Sequence, residues 1–206
     1  MKVLLINGSP HEKGCTYTAL SLIAEELKAQ GIETEILHVG GQPVGGCIGC
    51  GGCRSGNGCV FGGVVNEAIE KAKTADAFVF GSPVHYASAA GNMTSFMDRL
   101  AYAGGKYLAY KPAAICCSAR RAGTTSTLDQ LVKYPQFFHM PLVNASYWAM
   151  VHGSNPEQVL QDAEGCAVMQ ELGRNMAWLL RCIEAGKAAG IDHPQNPPRP
   201  MTNFIR

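Results

Sequence analysis

The sequence has no surplus of either charge and no long apolar run. Its 17 Lys and Arg residues stand against 16 Asp and Glu, with no basic stretch interleaved with aromatics and no charged tail. That pattern argues against nucleic acid and leaves a small molecule or another protein as partner. The apolar stretch in MKVLLINGSP gives way after a few residues to a glycine turn. It reads as neither signal peptide nor membrane span, and a cytoplasmic protein with no membrane partner is expected. His38, His139 and His152 lack Cys or carboxylate neighbours at ligand spacing, which removes histidine metal sites.

Cysteine, by contrast, is abundant and clustered. Cys47, Cys50, Cys53 and Cys59 fall in GGCIGCGGCRSGNGCVFGG, a spacing of two, two and five residues. Thiolates this dense repel one another unless a cation or an iron–sulfur cluster neutralises them. Gly51 and Gly52 supply the backbone freedom to wrap closely round such a centre. The Cys-x2-Cys-x2-Cys start resembles that of bacterial ferredoxins, although the five-residue gap and the lack of a following proline depart from that run. A [4Fe–4S] cluster is the first reading. Zinc, which usually takes two separated Cys-x2-Cys pairs or Cys with His, and a reduced loop holding no metal are the alternatives. In a reducing compartment a disulfide framework is the weakest use for nine cysteines. The adjacent Cys116 and Cys117, together with Cys166 and Cys182, read as small apolar residues of the core.

With 206 residues, 47% of them hydrophobic, the chain can bury one domain of ordinary α/β size. Strand and helix signals alternate. KVLLIN at 2 to 7 is a near-continuous apolar run, as expected of a strand buried on both faces of a parallel sheet. The run from 16 to 29 places Leu20, Ile23, Ala24 and Leu27 on one helix face. Further strands are expected at 32 to 38, from 76 to the turn at Ser82-Pro83, at 113 to 118 and at 141 to 150. Helices are expected at 64 to 73, 92 to 102, 125 to 133 and 156 to 185, the last with Leu160 among its buried positions. Five strands alternating with helices predict a doubly wound parallel sheet with helices on both faces.

Ligands of such sheets bind outside the carboxyl ends of the strands, and three of those ends carry polar, glycine-bearing turns. The first, Asn7 to Thr16, leads straight into a helix N-terminus. Free N–H groups at Cys15, Thr16 and Tyr17, with the hydroxyls of Ser9 and Thr16, form an anion cradle there. The plainer reading, Thr16 as an N-cap and Gly8 as a turn residue, explains this turn alone. The turns from Ser82 to Ser88 and from Ser118 to Thr124 are expected at the same edge, with Pro83, Val84 and Tyr86 offering apolar surface. A phosphate at one end and a flat heteroaromatic at the other describe a mononucleotide.

GSPHEKGCT, the cysteine loop, SPVHYASAAGNMTSFMDR and the closing TNFIR resemble the flavodoxin-like NADPH-dependent FMN reductases, and within them the iron–sulfur flavoproteins. The resemblance spans nearly the whole chain. It implies a flavodoxin-like domain over 1–190 that binds FMN, with Ser9, His11, Gly14, Cys15, Thr16 and Tyr17 at the phosphate. Pro83, Val84, His85 and Tyr86, with Ser118, Ala119 and Arg120, would stand beside the isoalloxazine. The loop at 45–62 would hold the cluster through Cys47, Cys50, Cys53 and Cys59. His11 and Cys15 stand where the family commonly has Arg or Lys and Asn, so part of the phosphate charge falls to Lys13 or to backbone dipoles.

The implied activity is that of a flavin-dependent oxidoreductase. NAD(P)H or a ferredoxin would donate electrons, and a small molecule such as a quinone would accept them. The alternatives are a metal-free NAD(P)H-dependent FMN or quinone reductase and a non-catalytic flavodoxin-like carrier. No side chain is assigned as a general acid or base. His85 reads as a backbone partner, and Arg120 as a cation for the reduced flavin. The aromatic runs at 134 to 140 and 147 to 150 are expected in the core. The proline-bearing tail, 191–206, cannot be helical. It is expected to pack through Phe204 and Ile205 on its own or a neighbouring subunit, in a homodimer or homotetramer.

Overall fold

The structure, a computed structural model, describes residues 1–198, 200 and 202. Five strands run parallel: β1 (Lys2–Asn7), β2 (Glu33–His38), β3 (Ala77–His85), β5 (Ala113–Ala119) and β6 (Met150–His152). A two-residue β4 (Ser88–Ala89) folds back antiparallel on β3. The order β2-β1-β3-β5-β6 is that of flavodoxin-like sheets.

Alternation along the central strands builds both faces. Leu4 and Ile6 of β1, with Phe78 and Phe80 of β3, pack against α2 (Val64–Thr74), α3 (Gly91–Gly104) and α4 (Thr124–Phe137). Val3, Leu5, Ala77 and Val79 face α1 (Cys15–Ala29) and α6 (Ala163–Ala188). Burial on both faces is why these strands read as unbroken apolar runs. Each fully buried Leu, Ile or Phe contributes about 1.5–3 kcal/mol of transfer free energy.

Several expectations need correction. The stretch from 141 to 150 is not one strand. Leu142 bridges Ala113, but the backbone then turns to α6, where Asn175 Nδ2 donates to the Asn144 carbonyl at 2.8 Å. Ser146 Oγ donates to Glu171 Oε2 at 2.6 Å, and regular pairing resumes only at Met150. The helix from 156 to 185 is in fact two, α5 (Pro156–Val159) and α6. Asp162 starts α6 as its N-cap, Oδ1 accepting the Gly165 N–H and Oδ2 accepting that of His152, and Leu160 is left exposed. Cys182 is exposed and Cys166 half-buried. Phe137, Tyr147 and Trp148 are also exposed rather than core.

In the tail, the His193 ring stacks on Tyr110 at 4.3 Å, and Asn196 Nδ2 donates to the Tyr110 hydroxyl at 2.6 Å. Phe204 and Ile205 lie outside the described residues. Among the described residues no helix is long and apolar enough to cross a membrane.

Candidate cofactor site

The pairing register brings the three turns to one edge, Asn7 lying opposite Gly81 and Pro83 opposite Ser118. The first turn is shaped by polar side chains. Asn7 Nδ2 donates to the Glu12 carbonyl at 2.9 Å, while its Oδ1 accepts the Ser9 N–H at 3.1 Å. Ser9 Oγ accepts the His11 N–H at 3.1 Å, and His38 Nε2 pairs with the Ser9 carbonyl at 2.7 Å. Gly40 passes so close beneath that a Cβ there would stand 2.2 Å from the Ser9 carbonyl oxygen. Glycine is the residue that fits.

The turn delivers the chain to α1 with Gly14 as an N-cap that makes no side-chain bond. The N–H groups of Cys15, Thr16 and Tyr17 have no acceptor among the described residues, the first helical turn bond being Thr18 N–H to Gly14 at 3.0 Å. Three orphan donors at the positive end of a fifteen-residue helix fit an anion such as phosphate. Thr16 is not the cap. Its buried hydroxyl instead meets Ser118 Oγ at 2.8 Å, tying the first turn to the third. Cys15 Sγ donates to the Gly153 carbonyl at 3.5 Å. Burial foremost, then the Glu157 carboxylate, raise the Cys15 thiol above its ordinary value while its own backbone acts oppositely. The thiol stays neutral and adds no repulsive charge to the cradle.

The second turn differs from expectation. The strand does not stop at Pro83 but continues through Val84 and His85, and the reversal falls at Tyr86 and Ala87, whose φ values are 50° and 58°. Left-handed φ at both residues suits a two-residue hairpin. The hairpin is braced by α4. Gln130 Oε1 accepts from Ser88 Oγ at 2.8 Å and from the Ala89 N–H at 2.9 Å, and Ser126 Oγ donates to the Ala87 carbonyl at 2.6 Å. Pro83 and Val84 are half-buried, Ser118 and Ala119 buried, and His11, His85, Tyr86 and Arg120 exposed. The sheet edge therefore joins the first turn to Pro83, Val84, Ser118 and Ala119 directly. His85 and Tyr86 reach it only as the rim of the hairpin.

The cysteine loop packs on α3 through Arg99, Tyr102 and Ala103. Gly51 is left-handed, with φ 71°. Gly52 is not, but a Cβ on it would meet Val60 at 2.4 Å. All four thiols line one cavity of about 270 Å³ together with Phe61, Arg99 and Tyr102. Cys47 and Cys50 are exposed, Cys53 and Cys59 half-buried. Among the described residues no group of three or more His, Cys, Asp or Glu side chains converges closely enough to hold a metal ion. The donor chemistry nevertheless fits a cluster, being four soft thiols with no carboxylate or imidazole in the lining. Cys116 and Cys117 are unsuited to ligation, because burial raises the first and pushes the second up to about 12.

Two residues that hold this loop and the segment leading into it were missed from sequence. Asn92 Oδ1 accepts the Val44 N–H, and its amide donates to the carbonyls of Gly40 and Gln42. Arg99, buried to 6% exposure, donates to Cys59 Sγ and to the carbonyls of Gly45 and Gly62. The signal was present, since both are polar residues two turns apart on a helix whose neighbours Met93, Phe96, Met97 and Leu100 are core.

A second cavity, of about 450 Å³, lies between α4 and residues 142 to 149 and is lined by Tyr147 and Trp148. It shares no residue with the three turns.

Comparison with known proteins gives the family and the fold. Residues 1–155 match the family described as NADPH-dependent FMN reductase. An iron–sulfur flavoprotein of Methanocaldococcus jannaschii is 30% identical over 196 residues, covering 89% of this chain and 100% of that protein. One from Methanosarcina thermophila is 23% identical, covering 91% of this chain and 99% of its own length. Among solved structures, RosB with its bound intermediate 8-demethyl-8-formylriboflavin-5'-phosphate superposes with a TM-score of 0.70 at 14% identity, covering 100% of this chain and 94% of its own. At that identity the likeness is one of fold.

Proposed function

This chain belongs to the NADPH-dependent FMN reductase family, in its iron–sulfur flavoprotein subgroup, and we propose that it couples FMN to a [4Fe–4S] centre to reduce a small acceptor. The observation that carries the flavin half is the set of orphan N–H groups at Cys15, Thr16 and Tyr17, beside the close approach of Gly40 to Ser9. The backbone donors and the helix dipole would hold the phosphate without a cationic side chain. Ser9 and the Thr16–Ser118 pair fix the shape of the cradle, while Pro83, Val84 and Ala119 present apolar walls to the ring. Tyr86 and His85, at the hairpin rim, would face the second substrate.

For the cluster half the support is the four thiols round one cavity and the subgroup itself. FMN, when bound, supplies both two-electron and one-electron chemistry and the cluster one-electron chemistry, so together they link donors and acceptors of either kind. NAD(P)H or a ferredoxin is the proposed donor, a quinone or another flavin the proposed acceptor, and a homodimer or homotetramer the proposed assembly. One observation favours the metal-free FMN or quinone reductase as a second reading: the thiols do not converge.

Anaerobic purification with iron, sulfide, zinc and flavin quantified against protein separates these readings. About four iron and four sulfide per FMN is expected, and Cys50→Ser should lose the iron while keeping FMN. One FMN with no iron would select the metal-free reductase, and stoichiometric zinc would overturn the cluster.

A further inference from the structure

Among the described residues Arg99 is the best-buried cation, at 6% exposure, and no carboxylate there answers it. Its sequence neighbour Asp98 is taken by the Tyr134 hydroxyl at 2.6 Å. Burying a guanidinium costs several kcal/mol unless a counter-charge or a full set of acceptors repays it. Two neutral carbonyls, Gly45 at 3.3 Å and Gly62 at 3.1 Å, satisfy its terminal nitrogens, and the Phe61 ring lies 5.4 Å from its carbon. The third nitrogen, Nε, donates to Cys59 Sγ at 3.2 Å. No other cysteine of the loop has a side-chain donor at its sulfur among the described residues. Cys59 is also the most firmly held of the four, Asn66 closing both its N–H at 2.8 Å and its carbonyl at 3.0 Å.

We propose that Arg99 is the positioning and potential-setting residue of the cysteine-loop centre, holding the Cys59 sulfur by a charge-assisted hydrogen bond and stabilising the extra negative charge of the reduced cluster. This inference rests on the cluster assignment proposed above. Hydrogen bonds to cluster sulfurs and nearby charge set reduction potentials. A cation shielded from solvent acts more strongly than an exposed one. Arg54 lines the same cavity but is exposed, so its charge is screened.

The test is a redox titration of the anaerobically purified full chain, following the reduced cluster by electron paramagnetic resonance and the flavin by absorbance, after iron and sulfide have been measured in the wild type. Arg99→Gln is expected to make the cluster harder to reduce, lowering its reduced-to-oxidised ratio at the wild-type midpoint by about tenfold. The flavin potential should not move. Arg99→Lys, which keeps charge but not the fork, should retain iron and fall between the two, and Arg54→Gln should shift the ratio far less. Arg99→Gln with full iron and an unmoved cluster midpoint would overturn the proposal, as would an Arg54→Gln shift equal to that of Arg99→Gln. If Arg99→Gln loses iron, Arg99→Lys decides: iron lost there too means a loop strap and no more. Absence of iron from the wild type would defeat the cluster reading itself, an outcome recorded before any substitution is compared.

Discussion

Thr16 Oγ1 and Ser118 Oγ meet at 2.8 Å with both residues buried, and this contact joins the start of α1 to the end of β5. Thr16 belongs to the turn proposed for the phosphate and Ser118 to the wall proposed for the flavin ring. One hydroxyl pair thus sets the spacing between the two halves of the proposed FMN site.

Ser118→Ala should leave the Thr16 hydroxyl buried without its partner, at a cost of about 1–3 kcal/mol. FMN binding should weaken, since the cradle and the wall lose their shared reference. Thr16→Val made alone should behave alike, and the double variant should recover stability without recovering affinity, because the pair is coupled. Denaturant unfolding and flavin fluorescence titration read the two quantities separately. Additive losses in stability would show that the hydroxyls do not interact.

Gly40→Ala places a methyl against the Ser9 carbonyl oxygen, where 2.2 Å is available. Backbone cannot yield as a flexible side chain would, so the turn must shift, at about 1–3 kcal/mol. His38, bonded to the same carbonyl, would move with it. Flavin affinity is expected to fall together with thermal stability. Gly91→Ala is the comparison, since a Cβ at Gly91 meets nothing within 4 Å, and it should bind FMN as the wild type does.

The cysteines should separate by burial in alkylation of the metal-free folded chain. Cys47, Cys50 and Cys182 are exposed and should react in the folded chain. Cys116 and Cys117 should react only on unfolding, burial having raised the first and pushed the second up to about 12. The sign for stability follows. As pH rises past the ordinary thiol range, the unfolded chain releases these two protons while the folded chain keeps them, so both thiols favour unfolding at high pH. Peptide mapping by mass spectrometry reads the labelling. Modification of Cys117 in the folded protein would contradict its burial.

The sheet was legible because VLLI in β1 and AFVF in β3 are buried on both faces, which leaves an unbroken apolar run. The start of α1 was legible because the glycine-bearing turn ends at Gly14 and the apolar helix face follows at once. The hairpin at Tyr86 and Ala87 was not, because nothing in an aromatic–alanine pair announces two left-handed residues. That geometry is imposed from outside by Gln130 and Ser126 of α4. Leu160 misled for a related reason. Apolar spacing runs on through residues 160 to 162, and only the N-cap role of Asp162 shows the break. Tyr147 and Trp148 likewise read as core by composition, but their loop is drawn to α6 through Asn175 and Glu171, outside the sheet register.

Asn66 offers the last prediction, on how the loop keeps Cys59 in place. Its amide donates to the Cys59 carbonyl and accepts the Cys59 N–H, so Asn66→Ala removes two bonds from one proposed cluster ligand. At about 0.5–1.5 kcal/mol for each bond, the loss is modest against the whole fold and should leave overall unfolding nearly two-state. Locally it acts on a segment whose glycines hold it weakly and whose opening is governed by just such contacts. The expected result is a chain that binds FMN normally but releases iron to a chelator several-fold faster, since transient opening exposes the Cys59 sulfur. Asn66→Asp should be worse than Asn66→Ala, because a carboxylate still accepts the N–H but is repelled by the carbonyl it replaces a donor against. Equal iron release in all three proteins would mean that Arg99 alone secures Cys59.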